Sequence, residues 1–169
     1  IYATTFLRAL GYSTEELLRY FYKTETIYFE GGKYYKSLEY DLVKGLRADN
    51  DIKHPKTGVV IVNKNRKFTP AVIETLKKAN IKRVPVSEDE SFTKISAHDV
   101  IDPKSGEIIL ECNEQLSADK IKTLRKQEID SVKVLYIDGL NVGPYLRETL
   151  VLDKIASTDE AILEIYKKM

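Results

Sequence analysis

The chain has 169 residues, 43% of them hydrophobic and 31% charged, with a formal net charge of +1. That length suits one domain or two small ones with a real core, and the apolar fraction excludes an intrinsically disordered chain. The longest apolar runs reach four or five residues, too short to span a bilayer as a helix, and the near-neutral total excludes a strongly basic tail.

In chain order, Ser13-Thr14-Glu15-Glu16 is a capping-box pattern and predicts a helix from about Glu15 to Tyr22. Two aromatic-rich runs follow, TIYFE (26–30) and KYYKSLEY (33–40), on either side of Gly31-Gly32. They read as a β-hairpin. Its rings, with Tyr20, Phe21 and Tyr22, are either core or a platform on which single-stranded nucleic acid could stack, and the limited basic interleaving favours core.

An internal repeat comes next. Residues 51–86 align without a gap on 99–134, and about a third of the positions are identical, including Asp51/Asp99, Pro55/Pro103, Gly58/Gly106, Asn65/Asn113 and Leu76/Leu124. Each copy carries one grammar. Pro-Lys-Thr-Gly or Pro-Lys-Ser-Gly makes a turn. Val59 to Val62, or Ile108 to Leu110, reads as a buried strand, and Asn65 or Asn113 marks a second turn. Thr69 or Ser117 is an N-cap, with Pro70 suited to the first helical position. Val72, Ile73 and Leu76, or Ile121 and Leu124, lie on one helix face, and a closing strand follows at Val84–Val86 or Val132–Leu135. One such strand–helix–strand unit is too small to bury its apolar face alone. The two are therefore expected to pack together or onto a shared sheet.

Beyond the repeats, Asp138-Gly139 and Gly143-Pro144 mark a loop, and Ser157-Thr158-Asp159-Glu160 is a second capping-box pattern before a helix carrying Ile162, Leu163, Ile165 and Tyr166. Glu88-Asp89-Glu90 reads as a solvated loop between elements. The chain opens on Ile1 without a signal-peptide pattern and is read as a piece of a longer protein. Cys112, the single cysteine, cannot form an internal disulfide, which favours a reducing, cytoplasmic compartment.

Candidate chemistry is sparse. Cys112, His54 and His98 fit no metal-ligand spacing, Gly31-Gly32 lacks the features of a phosphate loop, and the paired acids at helix starts are explained by capping. No catalytic, cofactor-binding or metal residue is assigned. The exception to this bland surface is charge. Residues 53–83 sum to +8, while the matching stretch 101–131 sums to −2. Lys64, Arg66, Lys67, Lys77, Lys78, Lys82 and Arg83 form a candidate polyanion-facing patch.

The flanks FLRALGYSTEELL (6–18), GPYLRETLVLD (143–153) and EAILEIYKKM (160–169) resemble the beta subunit of bacterial DNA-directed RNA polymerase, in the lobe also called domain 2. The middle resembles a lineage-specific insertion built from β–β′ modules. The resemblance implies a nucleotidyltransferase parent that makes RNA on DNA, with alpha, beta′ and sigma as partner subunits. It implies that catalytic magnesium is held by another subunit, whose Asn-Ala-Asp-Phe-Asp-Gly-Asp motif is not found here. It also implies downstream DNA beside the lobe, and regulators that enter by the secondary channel as further partners.

The expected architecture is α+β. Residues 1–23 and 139–169 form a helical base. Residues 24–138 form an inserted module with the aromatic hairpin, repeat one (51–86) and repeat two (99–134). The expected role is accessory and non-catalytic. The alternative is an independent two-repeat module that binds nucleic acid or peptide.

Overall fold

The computed structural model describes all residues, 1–169. Side-chain caps set most of the helix starts. Helix α1 spans Ala3–Ala9 without a side-chain cap, and α2 spans Thr14–Phe21 behind a complete Ser13/Glu16 capping box. Strands β1 (Thr24–Glu30) and β2 (Lys33–Ser37) form the expected hairpin, with Tyr28 opposite Tyr35. Gly31 and Gly32 both take positive φ, which a tight two-residue hairpin turn requires. A short helix α3 (Tyr40–Val43) leads into repeat one.

Repeat one contains β3 (Ile52–Lys53), β4 (Val60–Val62), α4 (Pro70–Lys78) and β5 (Arg83–Val86). A connecting helix α5 (Glu88–Phe92) follows. Repeat two contains β6 (Val100–Ile101), β7 (Ile108–Leu110), α6 (Ala118–Lys126) and β8 (Ser131–Leu135). The chain closes with α7 (Tyr145–Leu152) and α8 (Thr158–Lys168).

The repeat is reproduced in its hydrogen bonds. The Lys64 N–H donates to the Asp51 carboxylate at 2.7 Å, and the Cys112 N–H donates to the Asp99 carboxylate at 2.7 Å. Asn65 and Asn113 both sit at positive φ, 66° and 69°. Asn tolerates this region because its short polar side chain bonds locally. Arg47 bridges Lys67 as Ile95 bridges Gln115, so the structural repeat begins four residues before the sequence repeat shows.

The closing strands flank the hairpin in one four-stranded antiparallel sheet, in the order β5-β2-β1-β8. Both repeats therefore use a shared sheet, and the aromatic hairpin is its centre. Alternation along the strands divides the two faces. Ile27, Phe29, Val84, Val86, Val132 and Val134 are buried on one face. Val72, Ile73 and Leu76 of α4 join the core of repeat one with Leu38 and Val84, while Ile121 and Leu124 of α6 join Ile27, Phe29, Val132 and Val134. The other face carries Tyr28, Tyr35 and Arg83, and at the end of β8 Leu135 on this face packs against α2 and α7.

Several local expectations need correction. The run Val59 to Val62 is not a uniformly buried strand: Val59 is 64% exposed, Ile61 packs half-buried against the core and only Val62 is fully buried. It pairs only with β3, in a two-stranded ribbon outside the main sheet. The strands β3 and β6 were too short to be legible as runs. Glu88-Asp89-Glu90 is not loop but the first turn of α5, capped by Ser87. At α8 the Ser157 hydroxyl accepts from Glu160 N–H, but the Glu160 carboxylate accepts from Ala156 N–H rather than closing a box on Ser157.

The helices from the two ends of the chain pack together, α1 against α8 and α7, and α2 against α7. Asp153, buried, accepts from the Thr4 and Thr5 hydroxyls at 2.5 and 3.1 Å. Repeat two rests on this base. Ile95, Ala97 and Leu135 share a core with Leu17, Leu18, Tyr22 and Leu150, and Cys112 packs against it. The equivalent positions of repeat one are Arg47, Asp49, Ser87 and Lys64, all exposed. The copies diverge from polar to apolar where one of them meets the base, which is the hydrophobic effect written into the alignment.

Candidate functional site

The seven cations of the candidate patch are all exposed, but they do not all lie on one face. Lys64, Arg66 and Lys67 sit on the turn that leads into α4, and none of the three has a carboxylate partner. Lys77 and Lys78 occupy the last turn of α4, where basic side chains favour the negative end of the helix dipole. Lys78 pairs with Glu74 at 2.9 Å, and the Lys77 ammonium lies 5.3 Å from the centre of the Tyr40 ring. Lys82 follows in the connector and is unpaired.

Arg83 is separated from this group. Val84 points into the core of repeat one beneath α4, so strand alternation turns Arg83 to the opposite face. There it donates twice to the Glu30 carboxylate, at 2.6 and 3.0 Å. Its guanidinium also lies 5.4 and 5.1 Å from the ring centres of Tyr28 and Tyr35. The hydrogen bonds to Glu30 push the Arg83 pKa up. Glu30 was not legible as a partner, because a residue 53 positions away on a non-adjacent strand leaves no local signal.

The aromatic cluster is divided too. Phe29 and Tyr34 meet edge-to-face on the covered side of the sheet, and Tyr34 meets Phe92 in the same way. Tyr28 and Tyr35 lie on the open side beneath Arg83. Tyr20 and Phe21 pair at the end of α2, exposed and away from the hairpin. No run of bare rings forms on a single face.

The remaining chemically able groups have structural partners. The Cys112 thiol donates to the Ala97 carbonyl at 3.4 Å, and burial against the base pushes its pKa up to about 12. It is held as a thiol, the unreactive form. His98 Nδ1 lies 3.0 Å from Glu15, tying repeat two to α2, while His54 Nδ1 accepts from the Lys56 and Thr57 N–H groups. No three His, Cys, Asp or Glu side chains converge as a metal-binding group would.

A cleft of about 470 Å³ lies beside repeat one, lined on one flank by residues 45–52 and on the other by Lys36, Val84 and Pro85. Lys36 binds Glu90 at 3.0 Å and Asp49 at 3.2 Å, and Lys94 binds the buried Glu25 at 2.7 Å. The Lys36 pKa is raised: burial opposes its charge, but the bond to Glu90 and the surrounding carboxylates outweigh that. Tyr136, buried at the cleft's edge, is pushed up to about 12 by desolvation and by nearby carboxylates. This cleft was not legible in the sequence, because its lining comes from separate stretches between Glu25 and Leu140.

No family model matches the chain. Known proteins do. The chain is 50% identical over 170 residues to the DNA-directed RNA polymerase subunit beta of Sorangium cellulosum, covering all of this chain and 12% of that protein. It is 48% identical over 182 residues to the subunit of the same name from Myxococcus xanthus, covering 99% of this chain and 13% of that protein. It is 54% identical over 167 residues to that of Geotalea daltonii, covering 99% and 12%.

Proposed function

The chain belongs to the family of DNA-directed RNA polymerase beta subunits, spanning 12–13% of the relatives it matches, and on that premise we propose that it is an accessory, non-catalytic part of such a subunit. Its parent would be the enzyme that synthesises RNA on DNA. Its direct partners would be the remainder of the beta subunit and the other polymerase subunits.

The observation that carries this reading is the packing of the two ends of the chain. Helices α1, α2, α7 and α8 gather in one base, clamped by Thr4, Thr5 and Asp153, and repeat two packs on it. An insertion has to leave and rejoin its host near one place, and this base supplies that place. The base also presents a large apolar surface: Phe6, Leu10, Val151, Leu152, Leu163 and Tyr166 are all more than half exposed. A patch of that kind marks an interface, and the rest of the subunit is the natural occupant for a segment of this share of its relatives. In this reading residues 1–23 and 139–169 belong to the lobe, and 24–138 is a module inserted in it.

The module would then be a docking surface for transcription regulators, with Lys64, Arg66, Lys67 and Lys82 giving it attraction for DNA or an acidic protein. In this reading the fragment would supply no catalytic group of its own, and the catalytic magnesium would be held elsewhere in the parent.

The test is promoter-directed transcription by the parent polymerase with residues 24–138 replaced by a short linker, with and without a secondary-channel regulator. Normal basal synthesis with an altered regulator response supports the accessory reading. Loss of basal synthesis by an assembled enzyme overturns it in favour of a module that supports the DNA channel itself. Lys64→Glu, Arg66→Glu and Lys67→Glu together test the charge. Unchanged DNA retention and regulator response across a salt series would remove the electrostatic role.

A further inference from the structure

The two repeats differ in one backbone connection. In repeat two the segment Ile95–Ala97 forms an extra strand on the outer edge of β8. Ser96 bridges Val134, the Leu135 N–H donates to the Ile95 carbonyl at 2.8 Å, and the Ala97 N–H donates to the Lys133 carbonyl at 3.0 Å.

In repeat one the matching segment 47–49 keeps only half of this arrangement. Ala48 N–H donates to the Arg66 carbonyl at 2.9 Å, and Phe68 N–H to the Leu46 carbonyl at 2.8 Å. No bond joins 47–49 to β5. The N–H groups of Arg47, Asp49 and Ser87 find no partner in the chain, and all three residues are exposed. The Leu38 N–H bonds to the Lys82 carbonyl, which fixes the alternation along β2 and β5. Pro85 then falls at a pair without ladder bonds, so its carbonyl faces away from β2. An unpaired strand edge is a template for a further strand.

Pro85 does not blunt this edge in the usual way. Its counterpart Lys133 uses only its carbonyl when it pairs with Ala97, so the N–H that proline lacks is not needed.

The cleft described above lies beside that edge. It has apolar lining from Leu38, Leu46, Phe68 and Val84, and its wall carries five carboxylates against three cations. Asp51 and Asp138 have no cation partner there.

We propose that the edge of repeat one is a docking site for an extended segment of a partner protein, apolar on alternate residues and basic. It adds a strand at 85–87 as Ile95–Ala97 does at 133–135. Main-chain bonds supply the affinity, the apolar lining takes alternate side chains, and the excess carboxylates select the basic residue. This inference rests on backbone pairing and cleft charge and does not depend on the polymerase reading.

The probe is a synthetic peptide with the sequence of residues 92–98, Phe-Thr-Lys-Ile-Ser-Ala-His, which contains the strand that fills the sister edge. It is titrated into the full 169-residue chain and followed by amide NMR. Saturable shifts at Arg47, Asp49 and Ser87 are expected, with weaker binding when the peptide's lysine is replaced by glutamate. Ser87→Pro keeps the local φ of −71° but removes the N–H, whereas Ser87→Ala removes only the cap. Ser87→Pro should bind about fivefold more weakly than Ser87→Ala, the factor for one net hydrogen bond.

Four results overturn the proposal. One is no saturable shift at millimolar peptide; another is shifts confined to the open face of the sheet. A third is equal affinities for the two variants. The last is slow exchange of the Asp49 and Ser87 amides in the free chain, which would mean that 47–49 closes on β5 by itself.

Discussion

Exchanging residues between equivalent positions of the two repeats separates what the repeat needs from what its place in the fold needs. Ala97 is 3% exposed, with its methyl group in the core that joins repeat two to the base. Its equivalent Asp49 has a side chain that is 70% exposed and reaches Lys36 at 3.2 Å. Ala97→Asp puts a carboxylate among Leu17, Leu18, Leu135 and Leu150. Burying an unpaired charge costs several kcal/mol, and we expect a loss of about 3–5 kcal/mol at pH 7. Asp49→Ala removes one partly solvated ion pair and should cost no more than about 1 kcal/mol. Urea unfolding, followed by circular dichroism, reads the difference. With a slope of about 2 kcal/mol/M, the Ala97→Asp midpoint falls by about 2 M. The loss should also shrink with acid. A buried carboxyl has a raised pKa in the folded state, so its cost is fully present above the folded value and relieved as pH falls towards the unfolded value near 4. Equal costs for the two substitutions, or a loss indifferent to pH, would refute the argument that the base accounts for the divergence of the copies.

Asp153→Ala leaves the buried Thr4 and Thr5 hydroxyls without their acceptor and should cost about 2–4 kcal/mol, seen in urea unfolding and as faster proteolysis at the two ends of the chain. Leu76→Ala and Leu124→Ala, at equivalent and fully buried positions, should each lose about 2–5 kcal/mol, and a cost confined to one copy would argue against equivalent cores. Cys112, held as a thiol, should resist iodoacetamide at pH 8 in the folded chain and react on unfolding. The same raised pKa has a consequence for stability. Above the ordinary thiol value the unfolded chain loses a proton that the folded chain keeps, so stability falls as pH rises from about 8.5 towards 12, and Cys112→Ala should flatten that fall. Arg83→Ala should cost only about 1 kcal/mol by thermal unfolding, because its contacts with Glu30, Tyr28 and Tyr35 are largely solvated.

The local elements were legible because their causes are local. Ser13, Thr69, Ser117 and Ser157 mark helix starts by offering an oxygen to a free N–H within three residues, and Gly31-Gly32 permits a turn that few other pairs allow. The repeat was legible because one packing problem, solved twice, leaves the same apolar spacing at Leu76 and Leu124. The flanks were enough to point to the beta-subunit family. Tertiary structure alone decided what these elements meet. Which strands flank the hairpin, why Arg83 leaves the patch that its neighbours suggest, and why Lys64 has a thiol as its counterpart all depend on residues far away in the chain. The alignment shows Lys64 set against Cys112 as simple divergence, while Arg47, Asp49 and Ser87 lie outside its span and are matched with Ile95, Ala97 and Leu135 only by the structure. Only the base packed under one copy turns that divergence into a physical requirement, and leaves the edge of the other copy open.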